Sequence, residues 1–176
     1  MNHIITGTVW KCGDGVTAYQ IIAQRRWGNL SSMDPVELGK WVFEDAAPEL
    51  KDNPGAFQKL SCDIVVAGND FGGGGKSIEH PIVAMQGAGI KLVLAESFSR
   101  YNFRNAINRG LPAITCPEVT GLFNTGDTLE CNLLTGEVKN ITTGGTLRGI
   151  PLPDLVLGIL EAGGILEFTR KSLASS

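Results

Sequence analysis

The sequence has 176 residues, of which 43% are hydrophobic and 19% are charged, with a formal net charge of −3. This length and balance predict a single globular domain over residues 1–176, and the scattered basic residues argue against nucleic-acid binding. No apolar run approaches the roughly 18 residues of a membrane span, and the N-terminus lacks a secretory signal pattern, so a cytoplasmic protein is expected.

Strand and helix patterns alternate along the chain. Apolar, β-rich runs predict strands at 4–12, 62–68, 90–97 and 111–117, and a hairpin turned by Thr135-Gly136 at 127–142. Periodicity and capping signals predict helices at 33–50, 77–89, 100–110 and, as the last helix, 152–164. Residues 28–33 and 51–59 are predicted to be loops. This order favours an α/β fold with a parallel layer and added antiparallel strands.

The helix predicted over 33–50 has the clearest start signal. Asp34 stands where an N-cap is expected, and Pro35 follows at the first helical position. The apolar residues behind them form only a rough helical stripe, so the start is better defined than the end.

Four cysteines, Cys12, Cys62, Cys116 and Cys131, are spread through the chain without a CxxC spacing. The two histidines lie far from any ligand cluster in the sequence. This spacing favours reduced, mostly buried thiols, and predicts no zinc or iron–sulfur site built by this chain alone.

Residues 65–80, "VAGNDFGGGGKSIEHP", resemble a phosphate-binding loop at first sight. The phosphate-loop pattern requires a glycine five residues before the Gly-Lys-Ser triplet that begins at Gly75. Asp70 occupies that position, and its carboxylate would repel phosphate. The dinucleotide fingerprint also fits poorly, because this strand is not the first and no acidic ribose ligand follows.

The loop nevertheless predicts an anion site of another kind. A buried strand ends, a glycine turn follows, and a helix is predicted to begin near Ser77, where free backbone N–H groups favour a carboxylate. Lys76 adds a positive charge. The alternative is that the glycines only form a tight turn and Lys76 is a solvated surface lysine.

Several stretches together resemble one known family. They are "GTVWKCGDGVTAYQII", "DPVELGKWVFED", "SFSRYNFRNAINRGLP" and "EAGGILEF", with the glycine loop between the second and third. The chain resembles, nearly end to end, the small subunit of 3-isopropylmalate dehydratase, which is similar to the swivelling domain of aconitase. The resemblance implies a β/β/α swivelling domain.

The same resemblance implies a partner and a reaction. The partner would be a separate large subunit that carries a 4Fe-4S cluster on cysteine ligands. The reaction would be reversible loss and re-addition of water on a hydroxy acid, with the small subunit supplying the base and carboxylate anchors.

The family loop reads Gly-x-Gly-Ser-Ser-Arg-Glu-His, and this chain departs from it. Lys76 stands at the serine that serves as base, Ser77 at the second serine, and Ile78 at the carboxylate-binding arginine, with one extra glycine before them. In the first loop Ala18 and Tyr19 replace a polar pair. These changes cast doubt on 3-isopropylmalate itself and favour a related, substituted malate-type substrate.

The resemblance gives a set of candidate site residues. The catalytic candidates are Lys76, as base or as carboxylate anchor, and Ser77. The substrate-binding candidates are Gly74, Gly75, Arg25 and Arg26; for Glu79 and His80, capping and packing are favoured. Two other functions stay open: a non-catalytic structural or regulatory subunit, and a stand-alone anion-binding domain that forms a homo-oligomer when isolated.

Overall fold

The computed structural model describes residues 3–27, 33–74 and 77–174. Within these residues one mixed sheet forms the centre of the molecule. Its strands are β1 (Ile4–Lys11), β2 (Ile64–Ala67), β3 (Leu92–Ala95), β4 (Ala113–Thr115), β5 (Thr128–Asn132), β6 (Glu137–Asn140) and β7 (Thr146–Arg148). The order across the sheet is β4-β3-β2-β1-β5-β6-β7.

The sheet has a parallel half and an antiparallel half that meet at β1. Strands β1 to β4 are parallel neighbours, with Val65 opposite Val93 in β2 and β3. Strands β5 to β7 are antiparallel, and β5 pairs with the first part of β1. The predicted parallel layer and the predicted hairpin are therefore both confirmed.

Helices cover both faces of the sheet. They are α1 (Ala18–Ile21), α2 (Pro35–Gly39), α3 (Ala56–Lys59), α4 (His80–Gly87), α5 (Arg100–Asn108), α6 (Val119–Leu122), α7 (Asp154–Ala162) and α8 (Ile165–Ala174), with short 3₁₀ turns at Gln24–Arg26 and Pro48–Leu50. None of the helices in the described ranges is long and apolar enough to cross a membrane.

Successive residues of β2 explain why the molecule has two hydrophobic cores. Val65 and Ala67 point into the core that contains α2 and α4, whereas Ile64 and Val66 point into the core that contains α7 and the hairpin. Because side chains alternate across a strand, a strand that is apolar at every position must be covered on both faces.

The helix predicted over 33–50 is much shorter in the structure. The N-cap is as expected, since the Asp34 side chain accepts a hydrogen bond from the N–H of Val36, but α2 ends at Gly39. Phe43 has a left-handed φ of 60°, and its N–H donates to the carbonyl of Ile21 at 2.8 Å. Burial of the Phe43 ring therefore overrides the local helical pattern.

The C-terminal part of the chain holds two elements that the sequence patterns did not predict. The helix ending at Gly163 is confirmed, but it is not the last one, because α8 follows after two glycines with positive φ. Helix α8 has no fully buried residue, although Ile165 and Phe168 pack against the core that contains α7. The short edge strand β7 was also missed. Earlier in the chain, residues 56–59 were predicted as loop but form α3.

Candidate active site

The loops that follow β1, β2 and β3 meet at the carboxyl edge of the parallel half. The N–H of Asn69 donates to the Asp14 carboxylate at 2.6 Å, and the N–H of Asp70 donates to Ser97 Oγ at 2.9 Å. Parallel strands bring their carboxyl ends to one edge, which is where α/β proteins usually bind ligands. The three loops therefore define the candidate site.

The first half of the glycine loop is held firmly by its neighbours. The N–H of Gly72 donates to the carbonyl of Val16 at 2.7 Å, and the N–H of Ala18 donates to the carbonyl of Gly73 at 2.8 Å. The hydroxyl of Ser99 donates to the carbonyl of Gly72, also at 2.8 Å. Two of these bonds come from the loop after β1 and one from the loop after β3, so Gly72 and Gly73 join these two segments.

Close approach explains why this half of the loop needs glycine. Gly72 has a φ of 76°, and a Cβ there would collide with the side chain of Asn102 on α5. Gly74 has a φ of 114°, and a Cβ there would lie 3.4 Å from the ring of Tyr19. Only glycine adopts such backbone angles at low cost, so the run of glycines has a structural reason.

The structure places some of the predicted site residues and not others. Gly74 and Ser77 are exposed at the open end of the loop. Gly75 and Lys76 lie outside the described residues, so their predicted roles stay predictions. Among the described residues, the backbone N–H groups of Gly74 and Ser77 have no hydrogen-bond partner.

Helix α4 begins later than predicted. It starts at His80 with Glu79 as its cap residue, rather than near Ser77. Pro81 explains the shift, because a helix begun near Ser77 would need an N–H at Pro81 for the Ser77 carbonyl, and proline has none. Ser77 is therefore not the N-cap. Glu79 Oε2 lies 3.0 Å from Arg109 Nε, so the helix start already holds one carboxylate.

Three aromatic rings stack beside the glycine loop. The ring centroids of Tyr19 and Trp27 lie 5.5 Å apart, and those of Trp27 and His80 lie 4.8 Å apart. Trp27 Nε1 and His80 Nδ1 are buried without a hydrogen-bond partner among the described residues. Burial lowers the pKa of His80, with smaller opposing effects of Glu79 (raising) and Arg109 (lowering). The sequence patterns did not predict this stack.

Arg25 and Arg26 have carboxylate partners within the chain. Arg25 makes two hydrogen bonds to Asp45 at 2.7 and 2.8 Å, and Arg26 makes two to Glu44, both at 2.8 Å. Glu44 is almost fully buried, and the Arg26 guanidinium lies 3.5 Å from the centre of the Trp41 ring. The hydrogen bonds from Arg25 lower the pKa of Asp45. These contacts fix the segment that precedes Trp27.

The four cysteines are free thiols, and three of them are buried, as predicted. Burial raises the pKa of Cys12 and of Cys131 to about 12 and that of Cys116 to about 11. Within the described ranges, no three His, Cys, Asp or Glu side chains are grouped to hold a metal ion.

Comparison with known proteins first defines the class. The family model of the aconitase C-terminal domain matches residues 21–119. This match covers strands β2 to β4 and the loops that follow β2 and β3, whereas β1 and the first part of the loop after it lie before the match. The fold is thus the β/β/α swivelling domain of the aconitase superfamily, as the sequence predicted.

Full-length relatives narrow the class to one family. The chain is 44% identical to the isopropylmalate/citramalate isomerase small subunit of Methanocaldococcus jannaschii, over 100% of this chain and 99% of the relative. It is 42% identical to 3-isopropylmalate dehydratase small subunit 1 of Methanopyrus kandleri, over 97% and 95%. A crystal structure of 3-isopropylmalate dehydratase from M. jannaschii superimposes with a TM-score of 0.82 at 31% identity, over 97% and 96%.

The chain therefore belongs to the 3-isopropylmalate dehydratase small subunits, a family of hydro-lyases and isomerases. Membership as a small subunit implies a large-subunit partner. In this family the iron–sulfur cluster belongs to the large subunit.

Proposed function

We propose that residues 1–176 act as one swivelling domain that completes the active site of a cluster-bearing large subunit. The complex catalyses reversible dehydration of a malate-type hydroxy acid with an apolar substituent. The observation that carries this proposal is the glycine loop, which is held by hydrogen bonds at Gly72 and Gly73 and is exposed at Gly74 and at Ser77.

The open end of the loop is proposed to bind a substrate carboxylate. The N–H groups of Gly74 and Ser77, which donate to no residue that the structure describes, supply hydrogen-bond donors, and Gly75 follows Gly74 in the sequence. Lys76 supplies the full positive charge, either as anchor or as base. Charge-assisted hydrogen bonds of this kind contribute about 1.5–3 kcal/mol when water is excluded.

Arg25 and Arg26 are proposed to support this carboxylate site from the first loop. The Arg25 side chain is 47% exposed although both of its terminal nitrogens contact Asp45, whereas Arg26 is 22% exposed and bound to Glu44. Arg25 is therefore the candidate for direct contact, and Arg26 holds the loop that presents it.

The apolar side of the substrate is proposed to face Tyr19 and Ile78. The Tyr19 ring packs against Gly74, and Ile78 stands where the family places an arginine. Position 19 in the first loop and position 78 in the glycine loop, both polar in the family, thus carry an aromatic and an aliphatic side chain here. Burial of an apolar substituent contributes about 25 cal/mol per Å² removed from water, which favours a substituted malate over malate itself.

When bound, the cluster of the large subunit supplies a Lewis acid for the departing hydroxyl group. The residues of this chain bind and orient the carboxylate, exclude water on the Tyr19 side, and place Lys76 or Ser77 for the transfer of a proton. Purified chain without a partner is expected to show no turnover.

Reconstitution with the cognate large subunit under anaerobic conditions tests the proposal. Malate and its methyl, isopropyl and aryl derivatives form a matched series that differs only in the substituent. We expect turnover only in the complex, and a kcat/KM that increases from malate to the alkyl derivatives. A complex without turnover would indicate a structural subunit, and a chain that binds no large subunit would indicate a stand-alone anion-binding domain.

A further inference from the structure

Helix α5 carries a second cationic feature outside the candidate active site. Arg100 and Arg104 line a pocket of about 290 Å³. The other lining residues are Ser97, Phe98, Phe103 and Thr115. Among the described residues, neither guanidinium has a hydrogen bond or an ion pair. In contrast, Arg25, Arg26, Arg109 and Arg170 all have carboxylate partners.

Helix geometry separates this pocket from the substrate site. Asn102 and Asn105 face the glycine loop, since Asn105 Nδ2 donates to the Ile78 carbonyl at 2.9 Å and Asn102 packs against Gly72. At 3.6 residues per turn, the mean direction of Arg100 and Arg104 lies roughly 150° away from that side of α5. The two arginines therefore do not reach toward the same ligand as the glycine loop.

The floor of the pocket is nevertheless part of the same rigid edge. Phe98 packs edge-on against Phe71 with ring centroids 6.0 Å apart, and against Phe103 at 5.6 Å. The N–H of Phe71 donates to the Ser97 carbonyl, and the N–H of Ser99 donates to the Phe71 carbonyl, both at 3.0 Å. A protein that covers the glycine loop from the carboxyl edge thus meets a surface fixed to this pocket.

The chemistry of the pocket selects the occupant. Two guanidinium groups one helical turn apart suit carboxylates, which they bind through paired hydrogen bonds. The aromatic floor suits an apolar side chain beside the carboxylate. At about 290 Å³ the pocket lies at the lower limit of small-molecule sites, which range over about 300–1,000 Å³, and so suits side chains of a protein.

We propose that Arg100, Arg104 and Phe98 form a docking site for the large subunit. The site receives an Asp or Glu side chain that stands next to an apolar residue of the partner. This inference rests on the proposed function only for the existence of the partner, and it assigns that partner a surface distinct from the substrate site. The two guanidinium groups, which have no partner in the described part of the chain, would then form hydrogen bonds on assembly.

Charge reversal tests this docking site. In the double variant Arg100→Glu/Arg104→Glu we expect the Kd for the large subunit, measured by interferometry at low salt, to increase at least about tenfold, since like charges would face each other. Arg148→Glu is the matched control, because Arg148 is also unpaired among the described residues but lies on β7 at the opposite edge of the sheet. The control is expected to bind as the wild type does.

Additional measurements distinguish loss of the docking site from misfolding and from self-association. Arg100→Gln/Arg104→Gln should give a smaller loss and a weaker salt dependence of Kd, and circular dichroism should show the wild-type fold. An unchanged Kd in the double Glu variant would overturn the docking site while the proposed function stands. Loss of self-association rather than of large-subunit binding would assign the pocket to a second copy of this chain and overturn the inference as well.

Discussion

The two pairs of arginines in this molecule have opposite surroundings. Arg25 and Arg26 stand next to each other in sequence and are bound by carboxylates of the same chain, one of which, Glu44, is buried. Arg100 and Arg104 stand one helical turn apart and have no carboxylate partner in the described part of the chain. Both pairs are good carboxylate ligands by residue type, so only their surroundings separate an internal role from an external one.

Loss of Arg26 should have the largest effect, on stability. In Arg26→Met the buried Glu44 carboxylate loses its bidentate partner, and breaking a buried ion pair in this way costs about 3 kcal/mol of unfolding free energy. Urea denaturation followed by circular dichroism measures it. Arg104→Met is the matched control and should cost less than about 0.5 kcal/mol. Equal losses in the two variants would remove the distinction between the pairs.

The next largest effect, on substrate binding, is expected from replacement of Lys76 in the glycine loop. In the reconstituted complex, Lys76→Ala is expected to increase KM at least about tenfold, equal to about 1.4 kcal/mol, because the substrate carboxylate loses its charge-assisted contact. Lys59→Ala, at an exposed lysine of α3, should leave KM unchanged. If Lys76→Ala leaves both kinetic constants unchanged, the glycine loop is only a turn.

A smaller effect on substrate binding is expected from replacement of Arg25. Arg25 is proposed to contact the substrate carboxylate while it also binds Asp45. The variant Arg25→Gln should therefore increase KM about fivefold, equal to about 1 kcal/mol. The exposed pair itself should add less than about 1 kcal/mol to stability.

Asp45→Asn provides the reciprocal test, because it frees Arg25 from its competitor and should leave KM equal or lower. Steady-state kinetics of both variants decides the matter. If Arg25→Gln lowers the stability but leaves KM unaltered, Arg25 has only a structural role within the chain, like Arg26.

The smallest effect is expected at His80, a half-buried side chain whose ring stacks on Trp27. Its pKa is lowered below the ordinary 6.5, so the unfolded chain takes up a proton at a higher pH than the folded one. The free energy of unfolding should therefore fall as the pH drops below about 6.5 toward the lowered pKa. His80→Gln should reduce this fall, as measured by denaturation between pH 7 and pH 5; an identical slope would contradict it.

Local patterns predicted those elements whose cause is local. Strands β2 and β3 are buried on both faces, so every residue in them is apolar and the unbroken apolar run is enough to predict a strand. The start of α2 was predicted because Asp34 caps it within two residues. The start of α4 was misplaced, although Pro81 stands in the sequence and lacks the N–H that a helix begun near Ser77 requires.

The surroundings of the site residues could not be predicted in the same way. Arg25 meets Asp45 across 20 residues only because the chain turns at Phe43, whose positive φ depends on a buried ring and a hydrogen bond to Ile21. The stack of Tyr19, Trp27 and His80 joins three segments in the same way. Such contacts are set by tertiary packing, which no spacing rule contains.

The place of β1 in the sheet has a consequence for biosynthesis. Ile4 pairs with Asn132, so the first strand to leave the ribosome waits for a partner made 128 residues later. At about 5–20 residues per second, that interval lasts on the order of 10 s. During this time the backbone edge of residues 4–8 has no native partner and is open to pairing with other nascent chains. The two halves of the sheet can thus join at β1 only after β5 has been made, and slowed synthesis should increase the dependence of this subunit on chaperones.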